Sequence, residues 1–338
     1  MHASIAAIEY FLPAATITSA ELAAVYPDWP ADKIESKTGI QTRHIAQPGV
    51  CASDMAVEAA RKLFAAGACD PAAIDYILFC TQTADYIAPA TACLLQQRLG
   101  IGRSAGALDF NLACSGYVYG LGLGEGLIAS GQASNVLLIT ADTLTQFIHP
   151  QDKSLRLLFG DAAAATLLRA TSGDEPSIGP FVYGTDGAGA PNLMIPMGGM
   201  RSPRSRQEPT AVEDDFGNAR TGENLFMNGV EVFNFTAETV PASVNKLFER
   251  ANLDDSKVDL YLFHQAGKPI LEFLRKRMRI PPEKFVMDMA DCGNTSSSTI
   301  PIALKRSVEA GRLQPGARVV LVGFGVGYSW AATAVRWT

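Results

Sequence analysis

Cys114 stands in "NLACSGYVYG" (111–120), between a short hydrophobic run and a small-residue stretch that reads as a helix start. A lone cysteine there is either a small buried hydrophobe, the commoner fate of the residue, or a nucleophile. Free N–H groups and the dipole at a helix start favour the thiolate, so the second reading predicts a thiol pKa below the ordinary one. A thiolate attacks a thioester readily, because the exchange is nearly isoenergetic, and leaves an acyl-enzyme. Two further polar residues stand out: His264, after the apolar run "LYLF", and Asn294 in "CGNTSSST". Asn294 is neutral at every working pH and can only donate and position, while a neutral imidazole at His264 suffices as an N–H donor. Taken singly, each also reads as an ordinary satisfied group at a strand end. The glycine-rich "GFGVG" (323–327) has two readings as well. It either permits a tight turn or brings a backbone N–H, that of Val326, beside the N–H of Cys114 to form an oxyanion hole.

An internal repeat supplies the elements that would position these residues. "KLFAAGACDPAAIDYILF" (62–79) aligns without gaps on "KLFERANLDDSKVDLYLF" (246–263). Each reads as a helix end, a turn and a buried strand. The segments 109–131 and 288–311 also correspond, and matching Gly131 with Gly311 sets Cys114 opposite Asn294. The chain therefore reads as two pseudo-symmetric α/β halves, residues 1–175 with the cysteine and 176–338 with His264 and Asn294. Alternating strands and helices predict sheets covered on both faces, in a layered helix/sheet sandwich. The strand ends and helix starts of such folds face one crevice, and three unlike residues converging there are hard to explain by packing alone.

Composition narrows the partners. The 338 residues are 48% hydrophobic with a net charge of −6, so no basic footprint argues for nucleic acid. No apolar run reaches the roughly 18 residues that suggest a membrane helix. The start "MHASIAAIEYFLPAA" reads as no signal peptide. The six cysteines lack CxxC spacing, which predicts reduced thiols in a cytoplasm. The four scattered histidines predict no metal site.

The set "ACSG", "HQA" and "GNTSSSTIPIAL", closing with "GFGVGYSWAATAVRW", resembles the ketoacyl synthase III family of the thiolase superfamily. The likeness extends over "KTGIQTRHIA" (37–46), "FGDAAAATLL" (159–168) and "MNGVEVF" (227–233). It implies a thiolase-like fold, a homodimer and no cofactor beyond the thioester substrates. It also implies acyl transfer to Cys114 from acyl-CoA or an acyl-carrier protein. Decarboxylative condensation with a malonyl-carrier protein or malonyl-CoA then gives a 3-oxoacyl product, with His264 and Asn294 donating to the enolate oxygen. Elongating synthases use a second His where Asn294 stands here, and thiolases carry a second reactive cysteine beyond the Asn loop, whereas the last cysteine here is Cys292.

The resemblance assigns the CoA or carrier arm to Lys33, Lys37, Lys153, Asn228, Gly229 and Lys268. Two of these depart from the family pattern: counting back from "TG" and "FGD" gives Lys33 and Lys153 where a Trp and an Arg stack on adenine. Lysine pairs with phosphates but offers no aromatic face, which predicts weak binding of free CoA; Trp29 lies four positions off. A basic docking residue is replaced by Pro269, beside Lys268 and the run "RKRMR" (275–279), which is either a solvated face or a surface for an acidic carrier protein. Ala88 stands where short-chain enzymes of the family place a Phe that caps the partner's acyl pocket. The space is either a channel for a longer chain or filled by Tyr86 and Ile87. The polar stretch 197–226 reads as a long surface loop or lid. Together these suggest a specialised paralogue. Two other functions fit the residues: an acyltransferase forming an ester or amide without decarboxylation, and a non-catalytic partner subunit of a synthase.

Overall fold

The computed structural model describes residues 1–173 and 176–338. Strand β1 (His2–Phe11) leads to a ribbon of β2 (Thr16–Thr18) and β3 (Thr42–His44), which brackets helices α1 (Ser19–Val25) and α2 (Ala31–Thr38). Then come α3 (Ala52–Ala65), β4 (Tyr76–Cys80), α4 (Thr91–Arg98), β5 (Gly106–Phe110), α5 (Gly116–Ala129), β6 (Asn135–Asp142), the short α6 (Lys153–Arg156) and β7 (Ala162–Thr171). After β8 (Ile178–Thr185), strands β9 (Leu193–Met194), β10 (Val212–Glu213), β11 (Ala219–Arg220) and β12 (Phe226–Met227) pair as two ribbons, β9 with β12 and β10 with β11. The chain ends with α7 (Gly229–Ala251), β13 (Leu260–Phe263), α8 (Lys268–Arg277), α9 (Thr299–Glu309), β14 (Arg318–Gly325) and β15 (Ser329–Arg336).

Two main sheets result, with orders β1-β7-β6-β4-β5 and β13-β14-β15-β8. Strand β4 runs parallel to both β5 and β6, and β13 runs parallel to β14. Their cores are apolar ("VLLI", "VVLV") because helices cover both faces. Helices α5 and α9 lie between the sheets. Tyr117, Val118 and Leu121 of α5 and Ile300, Ala303 and Leu304 of α9 share one core with Leu138 and Leu168 of the first sheet and Leu262 and Leu321 of the second. The outer face of the first sheet packs on α3 and α4, and that of the second on α7 and α8. This is the layered sandwich expected from the sequence. Helix α5 fits between the sheets because it is small-faced: a Cβ on Gly120 would lie 2.5 Å from a methyl of Leu138.

Each copy of the repeat is a helix, a one-turn 3-10 segment and a parallel strand, α3 to β4 and α7 to β13. The last strand of the first sheet ends at Thr171 and β8 of the second begins at Ile178. The boundary assigned at residue 175 lies outside the described residues. One register needs correcting. Left-handed Ala113 (φ 46) and Ser296 (φ 54) each open a 3-10 turn before α5 and α9. Cys114 therefore corresponds to Ser297, not to Asn294. The cause is a difference in helix length, 14 residues in α5 and 11 in α9, so a match made at the C-terminal glycines slips at the other end.

Candidate active site

Cys114 sits in the 3-10 turn Ala113–Ser115 that joins β5 to α5, and only 6% of it is exposed. The end of β14 lies against it. A Cβ on Gly325 would fall 2.9 Å from Cβ and 3.2 Å from Sγ of Cys114, and one on Gly323 would fall 2.8 Å from Cα of Ser115. These glycines are in a strand, so their role is close approach rather than turning. The approach brings the peptide after Gly325, which carries the Val326 N–H, alongside the cysteine. The expected low thiol pKa does not appear. Burial pushes the Cys114 thiol up to about 12, with the negative charge of Asp142 adding to it, and a hydrogen bond from Ser296 opposes them. Loss of solvent around sulfur outweighs the helix-start field.

His264 follows β13, and its backbone N–H donates to Val322 O at 2.8 Å. Burial lowers its pKa to about 3, so the imidazole is neutral. Its Nδ1 lies 2.8 Å from Thr299 Oγ1, and its ring stands edge-on to Phe324 at 5.5 Å. Thr299 Oγ1 in turn donates to Ser296 O at 3.0 Å. With that hydroxyl so directed, the ring hydrogen stands on Nδ1; presenting N–H from Nε2 requires the hydroxyl to turn toward Nδ1. Asn294 is held by its backbone, its N–H donating to Leu158 O (2.9 Å) and its C=O accepting from Gly160 N–H (3.0 Å). Its Oδ1 accepts from Ser296 N–H at 3.0 Å, which leaves the carboxamide NH2 as the free end. Finally, Ser296 Oγ lies 3.8 Å from Cys114 Sγ. One left-handed residue thus ties the three together, through its hydroxyl to Cys114, its N–H to Asn294 and its carbonyl to Thr299 and so to His264.

The sequence reading missed Ser296 and Thr299, and with them Gln82, whose amide donates to Ser296 Oγ at 2.8 Å, and Asp142, whose carboxylate accepts from the Ser297 hydroxyl at 3.2 Å. The signals were present but unspecific: an all-hydroxyl run "TSSST" after Asn294, and a carboxylate closing the apolar strand "NVLLITAD".

The structure also holds a cavity of about 840 Å³. Lys37, Lys153, Asn228 and Gly229 line it, as expected, and Leu157 forms part of its wall. Leu158, whose carbonyl holds Asn294, is the next residue, so one stretch of chain runs from cavity to centre. Lys33 and Lys268 are not in the lining. The Lys33 ammonium lies over Trp29, 4.6 Å from the ring centroid, and Lys268 packs against Gly39. In place of Lys33 the cavity wall carries Trp29, with Phe216 from the long loop. The expectation of no aromatic face is therefore corrected. The loop 197–226 is also more ordered than its composition suggests. Its β10–β11 ribbon is pinned where Arg220 meets buried Asp152 at 2.8 Å, and Lys153 Nζ donates to Phe216 O. Tyr86, Ile87 and Ala88 stand out from their own chain, Tyr86 62% and Ile87 94% exposed, and do not line this cavity. In the basic run, Arg275 is tied to Glu272 at 2.9 Å while Lys276 is exposed.

Among the described residues, no group of His, Cys, Asp or Glu is arranged to hold a metal ion, and no helix is long and apolar enough to cross a membrane.

Comparison with known proteins adds independent information. The family described as 3-oxoacyl-[acyl-carrier-protein (ACP)] synthase III matches residues 108–187, and its C-terminal counterpart matches residues 248–337. A beta-ketoacyl-[acyl-carrier-protein] synthase III of Streptomyces coelicolor is 37% identical over 327 residues, 96% of this chain and 94% of that protein. A crystal structure of a 3-oxoacyl-(acyl-carrier-protein) synthase III superposes with a TM-score of 0.98 at 50% identity over 100% of both chains. The priming beta-ketosynthase of the R1128 polyketide pathway superposes with a TM-score of 0.84 at 29% identity, covering 99% of this chain and 96% of that one.

Proposed function

We propose, from the premise that this chain belongs to the 3-oxoacyl-[acyl-carrier-protein] synthase III family, that Cys114, His264 and Asn294 carry its two half-reactions. Cys114 attacks an acyl thioester, with the N–H groups of Cys114 and Val326 receiving the oxyanion, and the acyl group stays on sulfur. A malonyl thioester then loses CO₂. The enolate oxygen takes hydrogen bonds from the Asn294 carboxamide and His264, and the enolate carbon attacks the acyl carbon to give a 3-oxoacyl thioester. A neutral imidazole and a neutral amide suit this step, because they place no fixed charge beside the departing carboxylate. The observation that carries the reading is the convergence of all three residues on Ser296.

The acyl donor enters through the cavity of Trp29, Phe216, Lys37 and Lys153, whose aromatic faces and ammonium groups fit the adenine and phosphates of CoA. A carrier protein brings the malonyl group. The two halves, 1–175 and 176–338, each supply part of the centre. The exposed Tyr86 and Ile87 support a homodimer in which this loop meets the partner's acyl pocket. The chain works in the cytoplasm with no metal or cofactor, as a specialised paralogue for a secondary acyl pathway. Incubation with an acyl-CoA and a malonyl thioester tests the reading. The expected result is a thioester adduct on Cys114, lost in Cys114→Ala, followed by release of CO₂. Acyl transfer to an alcohol or amine without CO₂ indicates the ester- or amide-forming enzyme instead, and no adduct at all indicates a non-catalytic subunit.

A further inference from the structure

Ser296 Oγ and Cys114 Sγ lie 3.8 Å apart, in a hydrogen bond that either atom could donate. Which one donates is decided behind the serine. Asp142, the last residue of β6, is 2% exposed. Its carboxylate accepts from the Gln82 backbone N–H at 2.7 Å, from the Ser297 hydroxyl at 3.2 Å and from Gln82 Nε2 at 3.3 Å. An ionised carboxylate only accepts, so Asp142 fixes which end of the Gln82 amide turns toward it. That end is the NH2, and the same nitrogen donates to Ser296 Oγ at 2.8 Å. A hydroxyl has one hydrogen and two lone pairs. Gln82 Nε2 can only donate, so it takes a lone pair of Ser296 Oγ and leaves the hydroxyl hydrogen for the sulfur.

We propose that Ser296 donates a hydrogen bond to the sulfur of Cys114 and so stabilises its thiolate, and that Gln82 is the positioning residue that keeps Ser296 a donor. The inference rests on Cys114 being the nucleophile, as proposed above. No proton changes hands in this contact: the hydroxyl keeps its hydrogen while charge on the sulfur comes and goes. Two moments use it. Sulfur carries charge when it attacks the acyl thioester, and again when the condensation product leaves it. A buried anion without donors is costly, and a hydrogen bond to an ionised group is roughly twice as strong as one between neutral groups. The backbone of the same residue serves the centre too. Its N–H holds Asn294 Oδ1 at 3.0 Å, and its carbonyl accepts from Thr299 at 3.0 Å.

The titratable groups packed around the sulfur do not help its charge. Asp142 on β6 is raised to about 6 by burial, so it is ionised at neutral pH and its charge disfavours the thiolate. Cys80 at the end of β4 is uncharged, its thiol pushed up by burial, and His264 after β13 is neutral. Asp161, just before β7, is also raised to about 6 and acts on Asp142 as a second negative charge. None of these groups is a cation. The charge on sulfur is therefore met by dipoles, and Ser296 is the side chain that supplies one.

The test is the rate of Cys114 alkylation by iodoacetamide in the full chain at neutral to alkaline pH, separated from the other cysteines by peptide mass spectrometry. The thiolate forms a carbon–sulfur bond as iodide leaves, and the thiol proton goes to the buffer, so no substrate of the enzyme is needed. Ser296→Gly removes the hydroxyl and suits the left-handed backbone (φ 54). It is expected to run about ten- to a hundredfold below the parent at each pH, the loss for a hydrogen bond to a charged group. Gln82→Met keeps the length of the side chain but not the amide, and should lose about two- to tenfold. The double variant should match Ser296→Gly alone within about twofold, because Gln82 acts through the hydroxyl. Removing a hydroxyl opens space beside the sulfur, so a packing role alone predicts faster alkylation. Exposed Cys93 should react at one rate throughout, and labelling of buried Cys80 or Cys292 marks a variant that has lost its fold. Should Ser296→Gly be such a variant, Gln82→Met decides, and a parental rate there overturns the donor role. So does Ser296→Gly at or above the parental rate, or losses that multiply in the double variant. Acyl-CoA single turnovers separate this from the proposed function. Slowed alkylation in Ser296→Gly with no acyl-enzyme in the parent sinks the function alone, and parental alkylation in Ser296→Gly with acyl-enzyme formed in the parent sinks the donor role alone.

Discussion

Replacing Trp29 with Ala tests how the acyl donor is held. A base stacked on an aromatic side chain contributes roughly 1–3 kcal/mol. One face of Trp29 is already taken, since the Lys33 ammonium lies 4.6 Å from its centroid. A single free face places the expected loss in the lower part of that range, about 1–2 kcal/mol, which is about five- to thirtyfold in kcat/KM. The assay compares acyl-CoA with the same acyl group on pantetheine, which has neither adenine nor nucleotide phosphates. Trp29→Ala is expected to cut kcat/KM for acyl-CoA by that factor and to leave acyl-pantetheine within twofold, roughly the noise of such comparisons. Lys33→Met should cost acyl-CoA less than Trp29→Ala, because it removes only the cation that steadies the ring, a contact of about 0.5–1 kcal/mol at an exposed site. An equal loss on both substrates, or no loss on acyl-CoA, refutes the placement of adenine on this ring.

His264→Ala and Asn294→Ala are expected to form acyl-enzyme at near-parental rates but to release CO₂ from a malonyl thioester about 10²–10³-fold more slowly; failure in acylation with decarboxylation retained reverses their roles. His264 also leaves a mark on stability. Its pKa falls from 6.5 unfolded to about 3 folded, so its contribution is complete above pH 6.5 and is lost as pH falls toward 3. Asp142 and Asp161, raised from 3.8 to about 6, act in the opposite sense. His264→Gln should therefore gain on the parent in urea midpoint as pH drops from 7 to 4, and a constant difference contradicts a neutral buried imidazole. Ala88→Phe should shift preference toward acetyl in a competition among acyl donors from acetyl to dodecanoyl; if acetyl wins in the parent and the substitution changes nothing, Ala88 is filler.

The parts of this protein visible in its sequence are those carried by short, contiguous patterns. The repeat set both halves because each copy keeps helix, turn and strand within 18 residues. Cys114 and His264 could be picked out because each follows an apolar run at an element boundary, and Asn294 because it opens the contiguous pattern "GNTSSST". Trp29 was noticed but set aside by counting. Pro30 caps α2, so the helix begins after Trp29, and the residue reached by fixed spacing from Gly39 is Lys33, one turn inside the helix, folded back over the ring. The thiol pKa was missed for a different reason. A helix start is visible in sequence, but the burial that overrides its field comes from Gly325 on β14, more than two hundred residues away.

The same distinction explains why the network behind Cys114 was invisible. Gln82 meets Ser296 across 214 residues and Cys114 meets Ser296 across 182. No local pattern links an amide on one strand end to a hydroxyl in the other half of a duplicated chain. What the sequence does contain is the consequence of that meeting. A strand that is apolar from Val136 to Ile139 closes on Thr140, Ala141 and an aspartate, and the loop after Asn294 is hydroxyl at five successive positions. A buried carboxylate without partners is costly, so an aspartate at the end of an interior strand requires donors, and Gln82 supplies them together with Ser297 of the hydroxyl run. Duplication put these two features face to face: the turn before α5 carries the nucleophile, and the equivalent turn before α9 carries the hydroxyls that solvate its charge. The halves have diverged in residue type while keeping the left-handed turn that aims both at one point, and the division of labour between Cys114 and Ser296 follows from that shared geometry.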